Sequence, residues 1–141
     1  MILRIPAVPS AALTENRRRG WQENSGKKQS MKEEFYWLVY DAFGTAWNEQ
    51  DDYTGRFEGR VDISYRFHFT DARMRDRDGL AQRLKVIQDM LCLPKGKDIS
   101  YKLGIIVDDS DKWINRWEIL PTIYKAESEM LEIEITEASD G

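Results

Sequence analysis

Four aspartates stand in two pairs, Asp76 with Asp78 and Asp108 with Asp109, each at a change of local pattern. In extended backbone, residues two apart project to the same side. Asp76 and Asp78 can therefore converge on one ion if the chain stays extended up to a helix cap, with Asp109 arriving from the other pair. Hard divalent cations such as Mg²⁺ take oxygen ligands and keep several waters, so two or three carboxylates and a phosphate make a sufficient site without histidine or cysteine. Two such ions about 4 Å apart clamp the attacking and leaving oxygens of a phosphodiester, the usual hydrolytic use of clustered aspartates. Arg73, Arg75 and Arg77 flank the first pair and suit a phosphate backbone. The same residues have a plainer reading. Aspartate is at home at helix N-caps and in turns, so Asp76 and Asp78 also fit a cap and its approach, and Asp108, Asp109 and Asp111 a polar turn.

Other chemistries fit less well. A calcium-binding EF-hand loop starting at Asp109 would have Ile114 at its sixth position instead of glycine and Leu120 at its twelfth instead of glutamate. Glycoside hydrolysis needs a carboxyl of raised pKa, which arginines beside Asp76 and Asp78 oppose. There is one histidine, His68, and one cysteine, Cys92, so one chain can assemble neither a Cys/His metal cluster nor an intramolecular disulfide. Cys92 lies among Met90, Leu91 and Leu93 and reads as a small buried hydrophobe. No phosphate-binding glycine loop and no Gly-x-Ser-x-Gly is present. Trp37, Trp47, Trp113 and Trp117 read as packing residues, whereas Trp21, in a basic segment, could stack on a base.

The elements that must position these residues follow from periodicity. Ile2 to Ile5 is a short strand closed by Pro6 and Pro9, and residues 14–30 form a polar, basic loop with Gly20 and Gly26. Ser30-Met31-Lys32-Glu33 is a capping box, and Met31, Phe35, Leu38, Val39, Ala42 and Ala46 share one face, which predicts a helix over about 31–47. Val61, Ile63, Tyr65, Phe67 and Phe69 alternate with Asp62, Ser64, Arg66, His68 and Thr70. That period of two is the clearest strand in the chain and puts His68 on the half-exposed face. Leu80, Leu84, Ile87 and Leu91 keep helical spacing, with Asp78 well placed as the N-cap. A mostly apolar run, Tyr101 to Val107, leads into Asp108. Looser alternation covers Trp113 to Tyr124, residues 125–129 make a hairpin turn, and Leu131, Ile133 and Ile135 line one face of a last strand. The order is β-α-β-α-β-β: an α+β fold in which a small mixed sheet packs with two main helices.

The 141 residues, 41% hydrophobic and 33% charged, suit a single domain over 1–141 with a short tail at 137–141. No apolar run approaches the roughly 20 residues of a membrane span, and the N-terminus lacks the plan of an export signal, so a cytoplasmic protein is expected. The net charge of −4 is uneven: residues 16–32 carry +5, from Arg17, Arg18, Arg19, Lys27, Lys28 and Lys32 against Glu23, and residues 126–141 carry −6. The basic segment favours an anionic partner. Two bound divalent cations would bring the net charge to zero, so the acidic balance does not exclude a metal-dependent enzyme acting on a polyanion.

Arg73-Met74-Arg75-Asp76-Arg77-Asp78-Gly79-Leu80, then a helix, then Gly104-Ile105-Ile106-Val107-Asp108-Asp109 and a strand hairpin, resembles the RusA family of Holliday junction resolvases, small endodeoxyribonucleases common in phages and prophages. In that family an arginine-flanked Asp-x-Asp-Asn-Leu opens a helix, and an apolar segment ending in Asp-Asp follows. The resemblance covers roughly residues 61–137; residues 1–60 agree only in layout. It implies a homodimer using Mg²⁺ or Mn²⁺, without a small-molecule cofactor, to make paired nicks in four-way or branched DNA during recombination and repair. Asp76, Asp78 and Asp109 would be the metal-binding carboxylates and Asp108 their acidic neighbour. Arg17, Arg18, Arg19, Lys27, Lys28, Arg73, Arg75, Arg77 and Gln82 would meet the nucleic acid. Gly79 replaces the family's asparagine, and Gln82 stands where the family has a lysine. Lys85, three residues on and on about the same helix face, is the candidate for that lysine's catalytic duty. Two other expectations stand beside this one: a non-catalytic branched-DNA-binding protein on the same scaffold, suggested by Gln82, and a protein-interaction module using the acidic tail.

Overall fold

The computed structural model describes residues 1–10, 21–49, 56–94 and 101–138. Four strands and two helices follow in the expected order: β1 (Ile2–Ile5), α1 (Trp21–Glu49), β2 (Val61–His68), α2 (Arg77–Leu91), β3 (Ile114–Ile119) and β4 (Met130–Glu137). The fold is α+β with a mixed sheet of order β1-β4-β2-β3. The alternation read in β2 is obeyed. Val61, Ile63, Tyr65 and Phe67 are buried, while Asp62, Ser64, Arg66 and His68 are half-buried on the opposite face. Leu3 and Ile5 of β1 and Leu131, Ile133 and Ile135 of β4 join the buried face. Onto it pack Phe35, Val39, Ala42 and Ala46 of α1, and Leu80, Leu84, Ile87 and Leu91 of α2. Each fully buried aliphatic side chain contributes about 1.5–3 kcal/mol.

Three expectations are corrected. First, α1 begins at Trp21, not at the Ser30 capping box, so residues 21–30 of the expected basic loop are helical. These residues have no apolar periodicity, but lysine, glutamine and glutamate are good helix formers, and extending a helix already anchored by Phe35 and Val39 is far easier than nucleating one. Second, β3 and β4 are not a hairpin. β3 pairs with β2 in parallel, making a β2-α2-β3 unit, and β4 lies antiparallel between β1 and β2. The reason is burial. Leu131, Ile133 and Ile135 stand opposite Phe67, Tyr65 and Ile63 in a two-sided central position, whereas Asn115, Arg116 and Trp117 of β3 are exposed and suit an edge. Residues 120–126 do not turn back. They continue alongside the end of β2, with Leu120 N–H donating to Tyr65 O at 2.8 Å, Ile123 to Phe67 O at 2.9 Å and Ala126 to Phe69 O at 2.9 Å. Third, the N-cap of α2 is Asp76, not Asp78.

Candidate functional site

At the N-terminus of α2, Asp76 is extended (φ −77, ψ 152) and its Oδ1 accepts the Gly79 N–H at 2.6 Å. An N-cap carboxylate reaches the amide three residues on, which selects Asp76 over Asp78 once Gly79 supplies that amide. Asp78 falls in the first turn, exposed. The chain between them already winds, so the extended geometry that would aim both at one ion is not formed. Two of the three flanking arginines are engaged within the fold. Arg75 grips Asp71 through Nη1 at 2.7 Å and Nη2 at 3.0 Å, and its guanidinium lies 3.6 Å over the Phe69 ring. Arg77 Nη2 donates to Ile119 O at 2.8 Å. Arg73 is exposed. Arg83, which sequence reading passed over, joins this group: burial, then the charges of Arg75 and Arg73, pull its pKa down. Its signal was its place on α2, one turn beyond Gly79. Gln82 and Lys85 are exposed and, with Asp78, lie on one side of α2.

The other acids belong to the opposite end of α2. There the apolar run after Tyr101 is not a strand but a return that caps the helix. Leu103, Gly104 and Ile106 donate their N–H groups to Met90, Cys92 and Leu91 carbonyls at 2.7, 3.0 and 3.0 Å, and Leu93 N–H donates to Val107 O at 3.4 Å. Gly104 makes the bend at φ +72, and Ile105 and Ile106 plug into the core. This delivers Asp108 and Asp109 beside Cys92, with one ligand atom of each residue lying within 4.8 Å of the others. Burial, and then the charge of Asp108, push the Asp109 carboxyl above the usual carboxylate range. Burial followed by the charges of Asp109, Asp108 and Asp89 pushes the Cys92 thiol up to about 12. The thiol donates to Gln88 O at 3.2 Å. Nearby, Lys102 Nζ meets Asp89 Oδ1 at 2.7 Å. Asp89, Cys92 and Lys102 are neighbours that sequence spacing did not associate with Asp108 and Asp109, because the contact is made by backbone bonds between two loops.

This arrangement can attract a cation. Two carboxylates crowd together at the negative end of a helix dipole, and the last turn of α2 holds no basic residue to offset them. The donor set suits a hard ion bound through Asp108 and Asp109, and not a thiophilic one, because the Cys92 thiol stays protonated. It does not reproduce the three-carboxylate set that the resemblance implies. The 15 residues of α2 span about 22 Å, and they separate Asp76 and Asp78 from Asp109. Among the described residues, no group of three acids unites the two ends.

The remaining candidates are placed as follows. Arg17, Arg18 and Arg19 lie outside the described residues, and Lys27 and Lys28 fall on the helical backbone of α1. His68, on the half-buried face, pairs through Nε2 with Glu132 Oε1 at 2.5 Å, as a strand residue with a cross-strand partner. Cys92 is buried, in keeping with its reading as a small hydrophobe. Among the described residues, no helix is long and apolar enough to cross a membrane. Compared with known proteins, the chain matches no family model and no curated protein.

Proposed function

We propose that the chain is a divalent-metal-dependent endonuclease of four-way or branched DNA, acting as a homodimer in the manner of the RusA-type resolvases that its motifs resemble. The observation that carries the reading is the crowding of Asp108 and Asp109 beside Cys92 at the C-terminal end of α2, where burial and then the charge of Asp108 raise the pKa of the Asp109 carboxyl. A divalent cation held there, Mg²⁺ or Mn²⁺, would neutralise charge on a scissile phosphate and make a water more acidic. Asp108 and Asp109 hold and orient that ion, and Arg73, exposed at the far end of α2, meets a phosphate of the same substrate. In this reading α2 keeps Asp76 and Asp78 away from that ion, and they serve as the helix cap and an acid of its first turn.

The test is cleavage of a labelled synthetic four-way junction against linear duplex of the same sequence, with Mg²⁺, Mn²⁺ or EDTA, scoring binding and nicks. Symmetric nicks in the junction alone, lost in EDTA and in Asp109→Asn with binding retained, are expected. Absence of both binding and nicks overturns the reading. A second reading, a branched-DNA-binding protein without catalysis, is favoured by the separation of the two acidic pairs and by Gln82 at the lysine position. It predicts junction binding that is indifferent to EDTA and no product on long incubation.

A further inference from the structure

β1 ends the sheet on one side, and its free edge opens onto a groove of about 410 Å³ between it and α1. Which peptide groups face that groove follows from the pairing with β4. Met1 and Ile135 exchange both backbone bonds, at 2.9 and 2.8 Å, so Leu3 and Ile5 also point their N–H and C=O groups at β4. Ile2 and Arg4 therefore point theirs outward, since bonded and unbonded positions alternate along an antiparallel edge. Among the described residues no strand pairs with them. The α1 wall is apolar at Leu38 and Ala42, and two opposite charges, Arg4 and Asp41, rim the groove without an ion-pair partner among the described residues. Ile2 is 40% exposed.

Natural sheets blunt a free edge with charges, bulges or cover. The other edge, β3, is guarded in this way, by Asn115, Arg116 and Glu118 and by a register shift opposite Val61 and Asp62. β1 carries a single charge, Arg4.

We infer that the β1 edge is the homodimer interface, formed by a second copy of this chain whose β1 pairs antiparallel about a two-fold axis at Leu3. In that register Ile2 stands opposite the partner's Arg4, and Arg4 opposite the partner's Ile2. Each pair exchanges two backbone bonds, so the four outward peptide groups of each copy are satisfied. Shifting the register toward the C-terminus brings in Pro6, which has no N–H to give, and shifting it the other way leaves Arg4 unpaired. Each β1 edge thus offers the other the same donors and acceptors in reverse order, the self-complementarity that an isologous interface requires. The product is a continuous eight-stranded sheet running across the dimer. This gives the homodimer of the proposed function its interface. It rests on that reading for its purpose, though not for its test.

The test is sedimentation of the full chain over a range of concentrations, beside Arg4→Pro. Proline is tolerated on a strand edge where the N–H faces outward, and Leu3 before it keeps its extended conformation, so β1–β4 pairing survives while the outward donor is lost. A dimer is expected for the native chain. In Arg4→Pro, dissociation should be stronger by a factor on the order of 100, from two lost bonds per dimer. A chain that stays monomeric, whether because residues 11–20 or nothing at all covers the edge, overturns the interface, as does an Arg4→Pro dimer as tight as the native one.

If that variant fails to fold, cross-linking decides. Directly opposed residues of a bonded pair have Cα atoms about 5.5 Å apart, within disulfide range. Under a mild oxidant, Ile2→Cys mixed with Arg4→Cys should cross-link while each alone does not. Equal cross-linking in all three samples, or none in the mixture, refutes the register. Junction cleavage measured on the same samples separates the two proposals. A β1-edge dimer that does not cut leaves the interface standing, and a cutting monomer leaves only the nuclease.

Discussion

The cation site proposed at the C-terminal end of α2 makes a sharp prediction about thermal stability. A ligand that binds only the native state stabilises it by RT ln(1 + [L]/Kd), which is about 1.4 kcal/mol at ten times Kd and about 2.7 kcal/mol at a hundred times. For a domain of 141 residues, 1 kcal/mol corresponds to roughly 4 °C in Tm, so saturating Mg²⁺ should raise Tm by about 5–10 °C over EDTA. Asp108→Asn should abolish the increment, because it removes one of the two carboxylates that crowd Cys92. The pH dependence without metal has a definite sign. The folded pKa of Asp109 is raised by burial and by Asp108, so the native state binds more protons than the unfolded chain. Stability contributed by this group is therefore present at low pH and lost as pH rises from the ordinary carboxyl range through the raised value. Mg²⁺ should remove that loss, and Asp108→Asn should lessen it. Asp78→Asn and Asp76→Asn, about 22 Å away along α2, should keep the full increment, and asparagine caps a helix as well as aspartate does. Differential scanning calorimetry of the four proteins, with Mg²⁺ or EDTA, checks this. An undiminished increment in Asp108→Asn, or its equal loss in Asp78→Asn, would refute the reasoning.

Two further outcomes follow from the same loop. Gly104→Ala should lower stability by about 1–3 kcal/mol in urea unfolding, since φ +72 is costly for a residue with a Cβ and the new methyl would lie 3.1 Å from Leu93 Cδ2; a loss under about 0.5 kcal/mol would mean that the bend adapts. Cys92, with its thiol pushed up to about 12, should react with a disulfide reagent at pH 8 a few thousand times more slowly in the folded protein than in the unfolded one, the ratio of thiolate fractions. Equal rates would place the thiol outside the packed site.

Much of the fold was legible because it is written in local period. The alternation from Val61 to Phe69 could only be a half-buried strand, and the spacing of Leu80, Leu84, Ile87 and Leu91 could only be one helix face; both are buried as read. What local period does not encode is the partner. Leu131, Ile133 and Ile135 read equally well as the second arm of a hairpin or as a central strand. Their place beside β2 is decided by which strand has more apolar surface to cover. The run from Leu103 to Val107 was apolar for a different reason than a strand would be: Ile105 and Ile106 are core plugs held by backbone bonds to the last turn of α2. That return is also why Cys92 and Asp89 came to neighbour Asp108 and Asp109, and no spacing rule could have associated them. The separation of the acidic pairs was hidden for the same reason, since a motif written on one line does not say that a 15-residue helix stands between its halves.

The two acidic pairs differ in what helix physics asks of them. Asp76 and Asp78 sit at the positive end of the α2 dipole, where an acid stabilises a helix by about 0.3–1 kcal/mol and a cap by about 1 kcal/mol more. Stability alone accounts for them, and Arg75 and Arg77 beside them are tied to Asp71 and to the Ile119 carbonyl. Asp108 and Asp109 are the reverse case. They meet the negative end of the same helix, crowd each other and Asp89, and hold Asp109 partly desolvated with its pKa raised. Burial, the neighbouring like charges and the helix end each work against the ionised form of Asp109. A divalent cation between the two carboxylates would offset these costs on binding. The case for a metal therefore rests on the pair that helix physics disfavours, not on the pair that makes the better sequence motif.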